Sequence, residues 1–227
     1  TRFEQLGWNA KDNIPQVKNL SGVINWQPDQ GRLEFDSENT SIKVKGYPEQ
    51  TLTLLNGAHE WKELSDGLRI SMERFVINQP ELTLSLQGAV DQVTRHSVGH
   101  IRLGLEFAGK NWQQWTVFLP KKYMKPKLYF LLKNDVKRIA EASGKITLNG
   151  LAKDFPFDNN TGEFSIESYA SGGEIAINSK WQVVKEIDGY IHLKNRNLNI
   201  DIVHANFHGV PAKDMHLRID SIRNNKE

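Results

Sequence analysis

Hydrophobic and polar residues alternate along most of this chain, and the alternation stops and resumes many times. In the second half, Ile146 and Leu148 flank Thr147, and Phe164 and Ile166 flank Ser165. Ile175 and Ile177 follow, then Ile187, Ile191 and Leu193 around Gly189. Leu198, Ile200 and Ile202 alternate with Asn199 and Asp201, and Met215, Leu217 and Ile219 alternate with His216 and Arg218. The first half behaves alike, with Ile24/Trp26, Leu33/Phe35, Ile42/Val44, Leu52/Leu54, Leu68/Ile70/Met72, Phe75/Ile77, Leu82/Leu84/Leu86 and Ile101 through Phe107. Period two sends alternate side chains to one face of a strand. The pattern therefore predicts more than a dozen short strands, each with one apolar and one polar face. Turn-forming residues interrupt it at 28–31, 47–50, 78–81, 158–162, 171–173 and 194–197. The expected class is mainly β, an antiparallel meander.

One stretch, Asn111 to Gly144, loses the alternation and looks helical, with Pro120 and Pro126 interrupting it. Proline is tolerated in a first helical turn and disruptive inside a helix. A short helix is expected before Pro120 and a second from about Lys125 to Arg138. On the second, Leu128, Leu131 and Leu132 group on one side, continued by Val136 and Ile139, which makes it amphipathic. The organisation expected is a β-repeat segment over 1–110, a helical insertion over 111–142 and a β-repeat segment over 143–227. A gapless internal repeat supports the iteration. Ile14 to Trp26 aligns on Trp181 to Leu193, pairing Lys18 with Lys185, Leu20 with Ile187, Gly22 with Gly189 and Ile24 with Ile191. Trp61 to Ile70 reads as a looser third copy.

A one-sided sheet must bury its apolar face against something. A fourteen-residue helix is roughly 21 Å long at 1.5 Å per residue and covers a few strands only. Two solutions remain. The sheet closes on itself as a sandwich or barrel, which is what soluble chains ordinarily do with apolar faces. Alternatively it curls into an open trough filled by a ligand with long hydrocarbon chains.

Composition narrows the function classes. There are 29 basic and 27 acidic side chains, a formal charge of +2, with no basic run interleaved with aromatics. Nucleic acid is not an expected partner. Cysteine is absent, which removes disulfides and thiolate metal sites. No apolar run approaches the roughly 18–20 residues that span a bilayer, and no signal peptide opens the chain. The sequence starts directly in pattern, without methionine, and reads as a piece of a longer protein. No G-x-S-x-G, P-loop or dinucleotide fingerprint occurs, and the acidic residues show no catalytic spacing. Neither catalysis nor a cofactor is expected.

The histidine pairs His96/His100 and His204/His208 have the i, i+4 spacing of zinc ligands on a helix. Both lie in strand-like segments, so solvent-facing histidines are the reading and no metal is expected. Trp112 and Trp115 fit a membrane-interface or sugar-stacking pair, or anchors that hold the short helix to the sheet. Lys121, Lys122, Lys125 and Lys127 beside Tyr123, Tyr129 and Phe130 have the composition of a headgroup-contacting helix, and equally of a solvated helix face.

The stretch from Trp115 to about Asp220 resembles the YhdP branch of the AsmA-like proteins, relatives of TamB. The resemblance is carried by FLPKKYMKPKLYFLL (118–132), by SGKITLNGLAKDFPF (143–157) and by the ordered Gly-x-Phe, Trp bend, Ile-x-Gly and Leu-x-Ile of 162–200. Gln182 stands where the family often has proline after the bend tryptophan. The resemblance implies an extended, strongly twisted antiparallel meander curled into an open hydrophobic groove, with one or two short amphipathic helices near its middle. It implies a bridge-like lipid-transfer protein of the Gram-negative periplasm, anchored in the inner membrane by a segment outside this chain. Its implied activity is non-enzymatic phospholipid transport between inner and outer membranes, serving outer-membrane biogenesis and the permeability barrier. The partners so implied are phospholipid acyl chains, and both membranes through parts outside this chain. The acyl-chain track would be Ile146, Leu148, Phe155, Phe157, Phe164, Ile166, Ile175, Ile177, Ile187, Ile191, Leu193, Leu198, Ile200, Ile202, Leu217 and Ile219. The alternative is a closed β-sandwich that binds a glycan or protein partner. In the Asp154-Phe-Pro-Phe bend, Phe155 and Phe157 either face the trough or plug the end of a sandwich. In both cases burial is expected.

Overall fold

Among the described residues thirteen strands account for most of the chain, and every register that can be read between them is antiparallel. The computed structural model describes residues 1–12, 14–116, 119, 121, 124–157, 159–176 and 183–222. The strands are β1 (Arg2–Trp8), β2 (Gln16–Trp26), β3 (Gln30–Lys43), β4 (Gln50–Leu64), β5 (Gly67–Gln79), β6 (Leu82–Val93) and β7 (His100–Lys110), followed by β8 (Val136–Arg138) and β9 (Glu141–Leu151). β10 (Gly162–Ile175), β11 (Val184–Lys194), β12 (Asn197–Phe207) and β13 (Val210–Ile219) complete the set. They form one open sheet in chain order, except that the short β8 leaves the path to pair with β10. The chain packs as two units, Thr1–Glu106 with Thr147–Gly162, and Phe107–Ile146 with Glu163–Glu227.

Most expected breaks are true turns. The exception is Ser171-Gly-Gly, which lies inside β10 as a bulge: the register with β11 shifts between Ala170 and Gly173, and Gly172 adopts φ 61. A bulge uses the same residue chemistry as a turn but lets the strand continue with added twist. The expected face assignment of Leu52 with Leu54 also changes. Leu52 and Leu55 are the buried pair, opposite Thr40 and Ser37, because β3 and β4 reverse faces together next to Asn39 at φ 53.

The helical stretch is shorter than its pattern. α1 (Trp112–Trp115) precedes the prolines, and α2 (Pro126–Phe130) runs into a single π-type turn at Leu131–Asp135. Val136 then enters β8 rather than extending a helix to Arg138. The wider π turn rotates the leucines apart: Leu128 and Leu132 are half-buried, while Leu131 faces solvent. Val117, Phe118, Pro120, Lys122 and Tyr123 lie outside the described residues.

The internal repeat is structural. Asn19 and Glu186, aligned by the repeat, both take left-handed conformations at φ 58 and φ 54. Two residues on, each copy accepts a backbone hydrogen bond from the preceding strand. Gln5 N–H donates to Ser21 Oγ at 3.1 Å, and Gly172 N–H donates to Asp188 Oδ1 at 2.9 Å. Both donors are themselves left-handed, at φ 51 and φ 61. A glycine follows in each copy. A Cβ on Gly22 would lie 2.2 Å from the Glu34 carbonyl oxygen, and one on Gly189 would lie 2.6 Å from that of Asp201. Each unit thus carries the same bulge, built from the same positions. The looser copy at Trp61–Ile70 has no such bulge, because it straddles the β4–β5 hairpin.

The buried core is small. Among the described residues eleven apolar side chains are buried, the main cluster being Val17, Leu20, Leu52 and Leu55 against Phe3, Phe35, Ile42, Phe75 and Ile77. The accessible surface is 14871 Å². A compact 25.9 kDa chain exposes roughly 10,500 Å², and two compact units of half that mass expose roughly 12,700 Å² together. Among the described residues most of the alternating apolar side chains are accordingly only half-buried.

Candidate functional site

The cross-strand register assembles the alternating residues into rows. In the second unit Ile166 lies opposite Leu193, Leu193 opposite Leu198, and Leu198 opposite Ile219. The next row runs Ser168, Ile191, Ile200 and Leu217, and the third runs Ala170, Gly189, Ile202 and Met215. Neighbours within a row stand about 5 Å apart. Leu193 and Leu198 are buried; Ile166, Ile191, Ile200 and Ile202 are half-buried; Leu217 and Ile219 on the last strand are exposed at 49% and 36%. Further along the same strands Gly173 faces Ile187, and Ile175 faces Val184. Ile146 and Phe164 are half-buried, and Ile177, Trp181 and Gln182 lie outside the described residues.

The first unit carries its own rows, which the expected track did not include. Ile24, Leu33, His59 and Met72 form one, and Trp61, Ile70 and Val90 another. Phe35 and Phe75 meet edge-on at 5.6 Å across Gly57, and Phe75 lies opposite Leu86. The signal was present, since these residues alternate as clearly as those of the second half. The resemblance, strongest after Trp115, drew the assignment away from them.

His59 is the one ionisable side chain of these rows. Its ring sits 5.7 Å from Phe35 and 6.2 Å from Trp61, and burial holds the imidazole below the usual histidine range. The apolar face thereby stays uncharged at neutral pH.

Ions occupy the opposite face. Arg32 reaches Glu34 at 2.6 Å, Glu60 at 2.5 Å and Glu73 at 3.0 Å. The hydrogen bonds to Glu73, Glu34 and Glu60 raise the guanidinium pKa, and Arg32 in turn lowers that of Glu73. Asp91 is held between Arg69 and Arg102. In the second unit Tyr169 and Tyr190 meet at a tilt of 52° with ring centres 4.9 Å apart on this face, and Asp201 pairs with His216 at 2.6 Å. A polar depression of about 570 Å³ opens near Arg2, Arg32, Asp36, Asn56 and Glu73. Its salt bridges are internally matched.

The Asp154-Phe-Pro-Phe bend resolves one alternative locally. Phe157 is 0% exposed and meets Phe155 edge-on at 5.8 Å. Its ring lies over Gly150 and Gly162, where added Cβ atoms would come within 2.6 and 2.7 Å of it. Phe157 is therefore a plug that ties the ends of β9 and β10, and it presents no surface to a ligand. Phe155 is half-buried, as is Leu148 nearby on β9, and the Phe155–Pro156 peptide is cis. The backbone of Asp154 holds the bend: its carbonyl accepts from Phe157 N–H at 2.7 Å.

The histidine pairs do not converge. His204 approaches Glu186 at 3.8 Å, while His208 sits exposed in the β12–β13 turn. Among the described residues no three metal-ligating side chains gather, and no helix is long and apolar enough to cross a membrane. Trp112 and Trp115 act as anchors, donating to Leu132 and Lys110 carbonyls at 3.0 and 2.8 Å.

One-sided strands, apolar rows that are only partly covered and the paired bulges agree with the motifs after Trp115. A model of the YhdP protein family matches residues 1–227, the whole chain. The chain belongs to the YhdP family. This extends the resemblance over the first 110 residues, whose own motifs carried it only in character. It places the chain in an envelope-associated family related to lipid transport. No curated protein and no solved structure matches the chain.

Proposed function

We propose that this YhdP-family chain carries phospholipid acyl chains along the apolar face of its sheet, without covalent chemistry. The transport would run between the inner and outer membranes of a Gram-negative envelope, with the chain in the periplasm. The observation that supports the reading is the row Ile191–Ile200–Leu217: apolar, cross-strand continuous, half-buried at its two isoleucines and exposed at Leu217. Burying a methylene is worth about 0.8 kcal/mol. An acyl chain resting on one sheet is half-covered, so about ten methylenes give roughly 4 kcal/mol. That is enough to hold a chain and weak enough to let it slide. A sheet face has no intrinsic stop along a row, which is what a track requires.

The test is native mass spectrometry of the purified protein, followed by lipid extraction of the same sample. Phospholipid should co-purify and should be lost from Ile191→Asp at a half-buried site, with retained strand content by circular dichroism required to show that the variant is still folded. A clean apo mass, with no uptake from vesicles, overturns the proposal.

A further inference from the structure

The helical stretch between β7 and β8 concentrates positive charge. Residues 111–135 hold five lysines and no arginine against the single Asp135, a net +4. The remainder of the chain holds 24 basic and 26 acidic residues. The apolar surface of this stretch is equally uneven. Phe130 is 58% exposed and Leu131 39%, adjacent at the point where α2 passes into its π turn. Such a pair gains nothing from water, and among the described residues it stays exposed.

The stretch is fixed on both sides of this exposed pair. Trp112 Nε1 donates to the Leu132 carbonyl, Lys125 Nζ donates to the Ser221 carbonyl at 3.0 Å, and Val136 is buried. Around the outward tip, Lys121 and Lys133 stand 5.7 and 5.6 Å from the Tyr129 ring centre. Among the described residues no carboxylate pairs with Lys121, Lys127 or Lys133. Exposed aromatic and aliphatic side chains ringed by unneutralised lysines have the chemistry of an interfacial element. The apolar tip enters the acyl boundary and the ammonium groups meet lipid phosphates.

We infer that this helical tip docks the chain onto an anionic phospholipid surface, through Phe130 and Leu131 for insertion and Lys121, Lys127 and Lys133 for charge. The occupant follows from charge complementarity: a net +4 stretch on a chain that is otherwise net acidic selects a negative surface. The inference does not rest on the acyl-chain track, since docking at a surface and carrying a lipid use different residues. Docking on the membrane would deliver the sheet to the source or acceptor of its cargo.

The experiment is co-sedimentation of the full chain with phosphatidylcholine vesicles and with phosphatidylcholine–phosphatidylglycerol vesicles. Binding should require phosphatidylglycerol and should fall steeply with salt as the Debye length shortens from about 10 Å to about 3 Å. Lys127→Glu with Lys133→Glu should weaken it roughly fivefold or more per site. Phe130→Ser with Leu131→Ser should reduce binding at high salt more than at low salt. Leu217→Ser, an equally exposed apolar site on β13, should leave sedimentation unchanged while lowering lipid uptake. Equal binding to neutral vesicles, no binding to either, or full binding by the Lys→Glu variant would each overturn the inference. Both tip variants replace exposed residues, so retained strand content by circular dichroism confirms that a loss is a loss of docking. Lipid uptake measured on the same samples separates failure of this inference from failure of the transport proposal.

Discussion

Replacing Phe157 by alanine tests whether the Asp-Phe-Pro-Phe bend is a structural plug or part of a ligand track. The ring is 0% exposed, so the whole side chain is lost from the interior. Its floor is Gly150 and Gly162, which have no side chains to relax into the space. The cavity therefore stays open, and the loss belongs in the range of about 3–5 kcal/mol measured for buried Phe→Ala changes. Phe157 also holds a left-handed backbone at φ 62, a conformation that costs an L-residue roughly 1–2 kcal/mol. The ring contacts must offset that strain, which alanine would keep while losing the contacts. Urea unfolding followed by circular dichroism should show a midpoint lowered by roughly 1–2 M at unchanged slope. Phe155→Ala, at the half-buried partner, should cost roughly half as much. A Phe157→Ala midpoint within ~0.3 M of the parent, combined with lost lipid uptake, would refute the plug and return Phe157 to the track.

Gly22→Val and Gly189→Val place a side chain against the carbonyls of Glu34 and Asp201 in the paired bulges. Each should destabilise by roughly 2 kcal/mol or more through forced strand separation; parent-like urea midpoints would show that the bulges tolerate side chains. His59 has a folded pKa lowered by burial, so the unfolded chain binds its proton first as pH falls. Its contribution is fully present above the unfolded value of about 6.5 and is lost as pH falls through the folded value. Thermal melts between pH 8 and pH 5 should show an acid-side loss that His59→Phe reduces. An unchanged pH profile in that variant would place the acid sensitivity elsewhere.

Much of this architecture was already written in the chain. Period-two alternation is a one-dimensional property that a strand converts directly into faces, so the β class and the apolar rows of Ile166, Ile191, Ile200 and Leu217 could be read from residue order. The repeat pairing Asn19 with Glu186 and Gly22 with Gly189 was equally legible, because a bulge depends on a few local residues. What the sequence could not give was anything decided by neighbours distant in the chain. Ser171-Gly-Gly reads as a turn, yet β10 continues through it because Asp188 on β11 captures the Gly172 N–H. Leu54 and Leu55 are indistinguishable by composition, and the reversal of β3 and β4 together puts Leu55 inside. Leu131 belongs to the apolar side of an ideal helix, and the π turn carries it into solvent. The same holds for Phe157, which shares its alternation with the open rows but is sealed over two glycines. The apolar face was determined by the sequence alone; which part is sealed and which stays open was decided by tertiary packing, because cover comes from residues far away along the chain.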